Sequence, residues 1–187
     1  MQNKSRALGE MPLYNTRADE MWEFMVKNVD FVEKSVLDAG CGYADLMWRA
    51  YKAGAKIVFG FDIDKHVVYW AGDRLDSYGF SNAPIYVLRG DINRWSEKWP
   101  GKHDVVICTS VLPYLEEPAY IIECMLRDSE TAIIECQYSG DGPGFERIKD
   151  DKDMAQWIME CGANNVEIIG KTQIRDRSAE RTIWKCT

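Results

Sequence analysis

The chain has 187 residues, of which 46% are hydrophobic and six are prolines, and this length and composition suit one compact domain with a sizeable core. Its formal net charge of -7 argues against a nucleic-acid partner, because phosphate binding normally relies on clustered lysine and arginine. Residues 1–10 are polar, and no stretch approaches the ~20 apolar residues of a membrane span, so we expect a soluble, cytoplasmic protein without a membrane partner.

The six cysteines are spread singly along the chain, and no two of them form a Cys-x-x-Cys pair. Cys108, Cys136 and Cys186 lie within apolar runs, where a thiol behaves as a small hydrophobic group. We therefore predict reduced cysteines in the core. We expect no structural metal, because zinc sites of this kind use paired ligands.

Residues 1–15 are predicted to form a flexible arm, and residues 16–187 a single domain. Thr16 can cap the first helix of that domain, because a threonine hydroxyl at this position accepts a backbone N–H of the first turn. Apolar residues recur at helical spacing behind it: Met21, Trp22, Met25, Val26 and Val29. The domain is therefore expected to open with an amphipathic helix.

Short apolar runs and amphipathic segments alternate along the middle of the chain. The predicted strands are 34–40, 56–62, 85–89, 104–110 and 131–136, and the predicted helices are 45–53, 64–79, 118–126 and 154–160. This alternation is typical of a doubly wound α/β fold with a parallel sheet and helices on both faces. Strands 166–174 and 181–186 have no helix between them, which predicts a terminal antiparallel hairpin. Such a sheet binds its ligands at the carboxyl ends of its strands.

The segment Asp38-Ala-Gly-Cys-Gly42 ends the first predicted strand. Gly40 and Gly42 let the backbone turn sharply and approach a ligand closely, because no Cβ intervenes. Asp38 would repel the phosphate that a dinucleotide-binding turn holds at this place. S-adenosylmethionine (SAM) has no phosphate, and its ammonium and sulfonium groups favour a nearby carboxylate. The segment predicts a SAM-binding turn, the alternative being a glycine turn that serves only strand-to-helix packing.

A second acid, Asp62, ends the next strand, 20 residues after Gly42. In α/β nucleotide-binding folds a carboxylate at this place accepts hydrogen bonds from ribose hydroxyls. Ile63 would then lie against one face of the adenine. Asp64 competes for the ribose contact, but its position before a helical segment is typical of an N-cap. We therefore predict that Asp62 contacts the ribose and that Asp64 caps the helix.

A third acid, Asp91, stands in Arg-Gly-Asp-Ile directly after the third strand. Its carboxylate can accept from the adenine amino group while Ile92 covers the other ring face. A Gly-Asp pair is also ordinary turn chemistry. The register of Asp91 with Asp38 and Asp62 favours the adenine contact.

The motifs follow one another in a fixed order: Val-Leu-Asp-x-Gly-x-Gly, a hydrophobic strand ending in Asp62, Gly-Asp-Ile, and Asp-Val-Val-Ile-Cys-Thr-Ser. In this order they resemble the class I SAM-dependent methyltransferase family. The resemblance covers about residues 16–187. It implies a seven-stranded sheet of order 3-2-1-4-5-7-6 with strand 7 antiparallel, and S-adenosylhomocysteine (SAH) as the product of the cofactor.

The resemblance also implies which residues bind the cofactor. Thr109 and Ser110 would close the site beneath the sulfonium. Tyr14 and Arg17 would fold over the cofactor. The alternative for Tyr14 and Arg17 is simple surface exposure. Ala44 departs from the family pattern, because many members have a third glycine there. The implied cofactor-binding residues are Asp38, Gly40, Cys41, Gly42, Asp62, Ile63, Asp91, Ile92, Thr109, Ser110, Tyr14 and Arg17.

The segment after the fourth strand usually meets the methyl acceptor, and here it is Thr-Ser-Val-Leu-Pro-Tyr. DNA and glutamine methylases that resemble this family carry Asn or Asp followed by Pro-Pro and an aromatic residue, which grip a planar amine. This chain lacks that motif. Val111, Leu112 and Tyr114 would instead form an apolar wall, which is more typical of members that methylate small molecules.

No catalytic base can be assigned from the sequence. The weak candidates are Glu135, Tyr114 and Tyr138. Glu135 is a carboxylate in an otherwise apolar strand, and the alternative to a catalytic role is a hydrogen bond to a neighbouring loop. The histidines, His66 and His103, have no evident orienting partner, so we expect them to be non-catalytic.

The tryptophans fall into two groups. Trp22, Trp48, Trp70 and Trp157 lie on predicted helices, where we expect them to pack in the core. Trp95 and Trp99 flank a polar loop and are candidates for contact with a partner.

The sequence thus predicts a SAM-dependent methyltransferase with a small-molecule acceptor. One alternative is a non-catalytic or protein-directed subunit on the same fold. A less favoured one is an NAD-dependent oxidoreductase, whose fingerprint would be Gly-x-Gly-x-x-Gly where this chain has Gly-Cys-Gly-Tyr-Ala-Asp. Displacement at a sulfonium needs alignment more than a covalent nucleophile, so the lack of a catalytic dyad is no obstacle.

Overall fold

The structure is a computed structural model that describes residues 14–95, 101–137, 144–173 and 180–187, with only the backbone described for residues 14–17. Residues 1–13 of the predicted arm therefore lie outside it. Within the described ranges, none of the helices is both long enough and apolar enough to cross a bilayer.

Seven strands form one sheet in the order β3-β2-β1-β4-β5-β7-β6. Strands β1 to β5 pair in parallel, whereas β7 runs antiparallel to both β5 and β6. This confirms the predicted fold class, strand order and terminal hairpin. The bounds are β1 Ser35–Ala39, β2 Ile57–Asp62, β3 Ile85–Arg89, β4 His103–Thr109, β5 Ser129–Cys136, β6 Val166–Gln173 and β7 Glu180–Cys186.

Helices connect β1 to β2, β2 to β3 and β4 to β5, as the alternating pattern predicts. Asp64 caps α3, since its side chain accepts the N–H of His66. The cap predicted at Thr16 is wrong, because α1 begins two residues earlier and Thr16 lies inside it. The bounds are α1 Tyr14–Asn28, α2 Asp45–Lys52, α3 Lys65–Ser77, α4 Pro118–Arg127 and α5 Asp151–Glu160.

The sheet buries a core on each of its faces, because successive strand residues point to opposite sides. On one face Val36, Val58 and Ile133 pack under α1, α2 and α3. On the other face Leu37 and Ile134 pack under α4 and α5. All six cysteines are free and buried, as predicted.

The burial of the tryptophans differs in part from the prediction. Trp157 is buried in the core as expected, but Trp70 is 51% exposed, because α3 packs against the sheet through Ala71 and Leu75 instead. Trp95 is 1% exposed, and its Nε1 donates to Asp128 Oδ2 at 2.9 Å. The predicted partner contact of Trp95 is therefore wrong, and Trp99 lies outside the described residues.

The strand order changes direction between β1 and β4, which lie side by side at the centre of the sheet. In an open α/β sheet the connections from these two strands diverge, and a crevice forms at their carboxyl ends. The segments after β1, β2, β3 and β4 meet at this crevice.

Candidate functional site

A cleft of about 290 Å³ lies at this edge of the sheet. It is bounded by residues at or just after the ends of four different strands, and half of them were predicted from the sequence to bind a cofactor. The lining residues are Gly40, Phe61, Asp62, Ile63, Gly90, Asp91, Ile92, Asn93, Ser110, Val111, Tyr114 and Leu115.

The turn after β1 depends on glycine at two positions. Gly40 has φ +80°, and a Cβ there would collide with Cγ2 of Val111. Gly42 has φ +51°, and a Cβ there would meet no atom within 4 Å. Gly40 thus lets the segment after β4 approach the turn, while Gly42 keeps open space beside it.

Ala44, where the family pattern has glycine in many members, adopts φ 61° and is fully buried. This left-handed conformation costs a residue with a Cβ about 1 kcal/mol. The N–H of Ala44 donates to the carbonyl of Cys41 at 2.9 Å. The chain therefore makes the turn that glycine would favour, but with an alanine whose methyl group packs in the core.

Asp38 is 2% exposed, and its Oδ1 has no hydrogen-bond partner among the described residues. Burial, with smaller contributions from the charges of Asp62 and Asp45, raises the pKa of Asp38 to about 7. A buried oxygen without a partner is costly. A cationic or hydrogen-bond-donating ligand group beside Asp38 would remove that cost.

Asp62 ends β2 and lines the cleft. Its Oδ2 accepts the N–H of Gly42 at 3.2 Å, and its Oδ1 accepts the N–H of Asp64 at 3.0 Å. Ile63 follows with its side chain exposed on the wall of the cleft. The backbone thus orients the Asp62 carboxylate at the place where the ribose contact is predicted.

The segment after β3 brings Asp91, Ile92 and Asn93 to the opposite wall. Oδ1 of Asp91 accepts both the backbone N–H of Asn93, at 3.0 Å, and its Nδ2, at 3.2 Å. Oδ1 of Asn93 in turn accepts the N–H of Glu116 at 3.1 Å. Asn93 therefore joins the segments after β3 and β4.

Asn93 lines the cleft but was not predicted from the sequence as a site residue. Its local signal is an Asx turn, in which Asp91 accepts from the residue two positions later. The link to Glu116 spans 23 residues and has no counterpart in the local sequence.

Four predicted contacts are not among the residues that line the cleft: Asp38, Cys41, Gly42 and Thr109. Cys41 is 7% exposed and belongs to the core, and burial raises the pKa of its thiol well above the ordinary value. Thr109 ends β4 beside the cleft, whereas Ser110 lies in its wall. Cys41 follows the end of β1, and Ser110 follows the end of β4 with a left-handed backbone, so strand alternation does not set their positions.

The predicted apolar wall is only partly correct. Val111 and Tyr114 line the cleft, and Tyr114 is 80% exposed. Leu112 is instead fully buried in the core and does not line the cleft. Leu115, which is 3% exposed and belongs to the same core, borders the cleft. This segment folds into a short 3₁₀ helix, Leu112–Tyr114, so its side chains do not alternate between two faces as they would in a strand.

Of the catalytic candidates, Glu135 is fully buried at the end of β5. Its Oε2 accepts the hydroxyl of Ser110 at 3.0 Å and lies 3.6 Å from Nη1 of Arg181. The alternative role, a hydrogen bond to a neighbouring loop, is the one observed. Tyr138 lies outside the described residues, and for Tyr14 and Arg17 only the backbone, in α1, is described.

The histidines lie away from the cleft lining. His103 begins β4, at the amino end of the strand, and burial lowers the pKa of its imidazole. His66 lies in the first turn of α3. Neither residue bounds the cleft.

With this geometry in place, comparison with known proteins identifies the family. A family model described as "Methyltransferase domain" matches residues 30–180. The chain belongs to this methyltransferase family. This membership confirms the resemblance predicted from the motifs and favours it over the dinucleotide-dependent oxidoreductase alternative.

Curated proteins that match this chain are named for different acceptors. The tRNA U34 carboxymethyltransferase of Colwellia psychrerythraea is 24% identical over 186 residues, which is 90% of this chain and 56% of the relative. The ubiquinone biosynthesis O-methyltransferase of Proteus mirabilis is 29% identical over 89 residues, 48% of this chain and 35% of the relative. The chain thus spans about half the length of the first relative and about a third of the second.

Solved structures share the fold. The magnesium protoporphyrin IX methyltransferase of Synechocystis PCC 6803 with bound SAM superimposes with a TM-score of 0.74 at 21% identity. The match covers 92% of this chain and 78% of that structure. At this identity the likeness is one of architecture.

Proposed function

We propose that the protein is a SAM-dependent methyltransferase that acts on a small-molecule acceptor, with residues 16–187 as its cofactor-binding domain. One observation carries the proposal: Asp62 and Asp91 line the cleft, and the buried Asp38, whose pKa is raised in part by the charge of Asp62, has an oxygen, Oδ1, without a partner among the described residues. Family membership supports the same conclusion.

The described residues fit this cofactor. Its cationic methionine end suits the unpartnered oxygen of Asp38, and the open space beside Gly42 leaves room for the approach of a ligand to the turn. Asp62 offers carboxylate oxygens to ribose hydroxyls, and Ile63 and Ile92 offer apolar surface to the adenine. The bound cofactor would supply an electrophilic methyl group on a sulfonium.

The part played by the protein in such a transfer is alignment and exclusion of water. Val111 and Leu115 present apolar surface in the cleft, and Ser110 presents a hydroxyl between them and the turn after β1. The two walls are held together by the hydrogen bond from Glu116 to Asn93. Since the reaction is a displacement, a fixed geometry does more for the rate than a strong base.

A small acceptor is favoured by the chemistry of the cleft. Among the described residues that line it there is neither lysine nor arginine, and the whole chain carries a net charge of -7. A polyphosphate acceptor would normally require cationic partners. The apolar Val111 and the exposed ring of Tyr114 suit a small organic molecule better.

RNA is a second candidate acceptor, favoured by one observation. A relative named for tRNA U34 aligns with 90% of this chain. Because the chain spans 56% of that relative, a shared acceptor does not follow from the alignment.

The test is methyl transfer from radiolabelled SAM, run in parallel on a small-molecule extract and on bulk tRNA. Label in the small-molecule fraction supports the proposal, and label in tRNA alone favours the second candidate. Binding of SAM and SAH without transfer to either fraction favours a non-catalytic subunit. A folded chain that binds neither SAM nor SAH in calorimetry overturns the proposal.

A further inference from the structure

Glu135 is a buried charged residue that the mechanism above does not use. Its side chain is fully buried at the carboxyl end of β5, and burying a carboxylate is costly unless hydrogen bonds and opposite charge compensate it. Oε2 has both, because it accepts the hydroxyl of Ser110 at 3.0 Å and lies 3.6 Å from Nη1 of Arg181. Glu135 thus connects β5 and β7 to the segment after β4.

Ser110 is held by Glu135 through the backbone as well. Its N–H donates to the carbonyl of Glu135 at 2.8 Å. Ser110 has φ 62°, a left-handed conformation that residues with a Cβ adopt only when their surroundings impose it. The two hydrogen bonds to Glu135 supply that constraint.

The next residue, Val111, is held from the other side. Its Cγ2 occupies the space that a Cβ on Gly40 would need. Ser110 and Val111 are therefore fixed between the end of β5 and the turn after β1, and both line the cleft. A shift of Glu135 would be transmitted to the cleft wall through Ser110.

The side-chain hydrogen bond to Glu135 also decides whether the Ser110 hydroxyl can donate to a ligand or accept from one. A serine has one hydroxyl hydrogen and two acceptor lone pairs. Because the hydrogen is donated to Glu135, Ser110 Oγ can only accept from a second group. A ligand group that hydrogen-bonds to it must therefore donate, as an ammonium, hydroxyl or amine does.

We propose that Glu135 is a positioning residue: it holds Ser110 in its left-handed conformation, with its hydroxyl as an acceptor for a donor group of the bound ligand. The proposal rests on the proposed function for the identity of that ligand. Its structural part, the tie between Glu135 and Ser110, does not depend on the cofactor.

The experiment is a double-mutant cycle on SAH affinity, measured by calorimetry on the full chain. The variants are Glu135→Gln, Ser110→Ala and the two combined. Thr182→Val is the matched control, because Thr182 lies in the adjacent strand β7, is 2% exposed and donates a partly buried hydrogen bond to Asp151 Oδ1 at 2.7 Å. Hydrogen exchange of the backbone amides of residues 109–112 is followed in the unliganded proteins.

We expect Glu135→Gln and Ser110→Ala each to weaken SAH binding about tenfold, as the loss of a charge-assisted hydrogen bond would. The double variant should be little weaker than either single one, because Glu135 acts through Ser110. Thr182→Val should lower thermal stability while SAH affinity stays within about twofold of the wild type. Amide exchange at residues 109–112 should be faster in each variant that changes Glu135 or Ser110, because each loses the side-chain hydrogen bond between them, and it should be unchanged in Thr182→Val.

SAH affinity unchanged in a folded Glu135→Gln, or losses that add in full in the double variant, would overturn the proposal. If Glu135→Gln does not fold, Glu135→Asp replaces it, since it keeps the charge and shortens the reach to Ser110. Failure of the wild type to bind SAH counts against the proposed function alone. In that case unchanged amide exchange in the Glu135 variant still overturns the tie to Ser110, and faster exchange supports it.

Discussion

Asp62 and Gly42 are joined at one side of the cleft: Oδ2 of Asp62 accepts the backbone N–H of Gly42 at 3.2 Å. The bond connects the end of β2 to the turn after β1, 20 residues earlier in the chain. It orients a carboxylate that lines the cleft without using all of its acceptor capacity. The same side chain thus shapes the turn and remains available to a ligand.

Replacement of this carboxylate should weaken cofactor binding. We expect Asp62→Ala to cost about 1.5 to 3 kcal/mol of SAH binding free energy, through the loss of charge-assisted hydrogen bonds, as measured by calorimetry. Asp64→Ala is the matched control, because Asp64 caps α3 and does not line the cleft. It should lose about 1 kcal/mol of stability and keep its affinity. Equal affinity in both variants would contradict the ribose assignment.

Asp38 should make the unliganded protein less stable as the pH rises. Burial raises the pKa of Asp38 from 3.8 to about 7 in the folded state, so the folded state holds its proton where the unfolded state has lost it. The associated stability is fully present below pH ~4 and is lost as the pH rises through ~7, up to about 4 kcal/mol.

Asp38→Asn removes this titration, so its free energy of unfolding, relative to that of the wild type, should increase between pH 4 and 8. Urea unfolding at several pH values measures the difference. The substitution should also weaken SAM binding at pH 8, where the wild type carries the charge. A difference in stability that does not vary with pH would show that Asp38 titrates normally.

Gly40→Ala should lower the stability of the protein by more than the left-handed backbone conformation of Gly40 alone would explain. Gly79 has nearly the same φ, +82° against +80°, but a Cβ on Gly79 would meet no atom within 4 Å, whereas one on Gly40 collides with Val111. We expect Gly79→Ala to cost about 1 kcal/mol of stability and Gly40→Ala clearly more. Adding Val111→Ala should recover part of the difference in thermal unfolding. Equal losses for the two glycines would mean that the contact with Val111 is unimportant.

Asn93 should contribute to affinity by closing the cleft. Asn93→Ala removes the hydrogen bonds to Asp91 and Glu116, and we expect SAH binding to weaken by about 1 kcal/mol. Asn28→Ala serves as the control, because Nδ2 of Asn28 donates to the carbonyl of Phe24 within α1 and the residue does not line the cleft. Calorimetry should show no change for this control. A similar effect of both substitutions would argue against a specific role for Asn93.

Much of the fold and of the acid positions could be predicted, because their signals are local. Strand β3 has the predicted bounds, and Asp64 is the predicted cap. Asp62 is the last residue of β2 and Asp91 lies two residues after the end of β3, so a parallel sheet brings them to one edge. The acceptor wall was predicted less well, because the 3₁₀ turn at Leu112 decides which side chains face the cleft.

The sequence by itself determined the alternation of elements, the strand order implied by the family motifs, and the acids at the sheet edge, since periodicity and turn chemistry act over a few residues. Only the tertiary structure decided that Trp95 is buried against Asp128, that Asn93 reaches Glu116, and that Glu135 holds Ser110. These contacts span 23 to 33 residues of chain. Their geometry depends on how separate strands and helices pack, and the sequence near each residue does not contain that information.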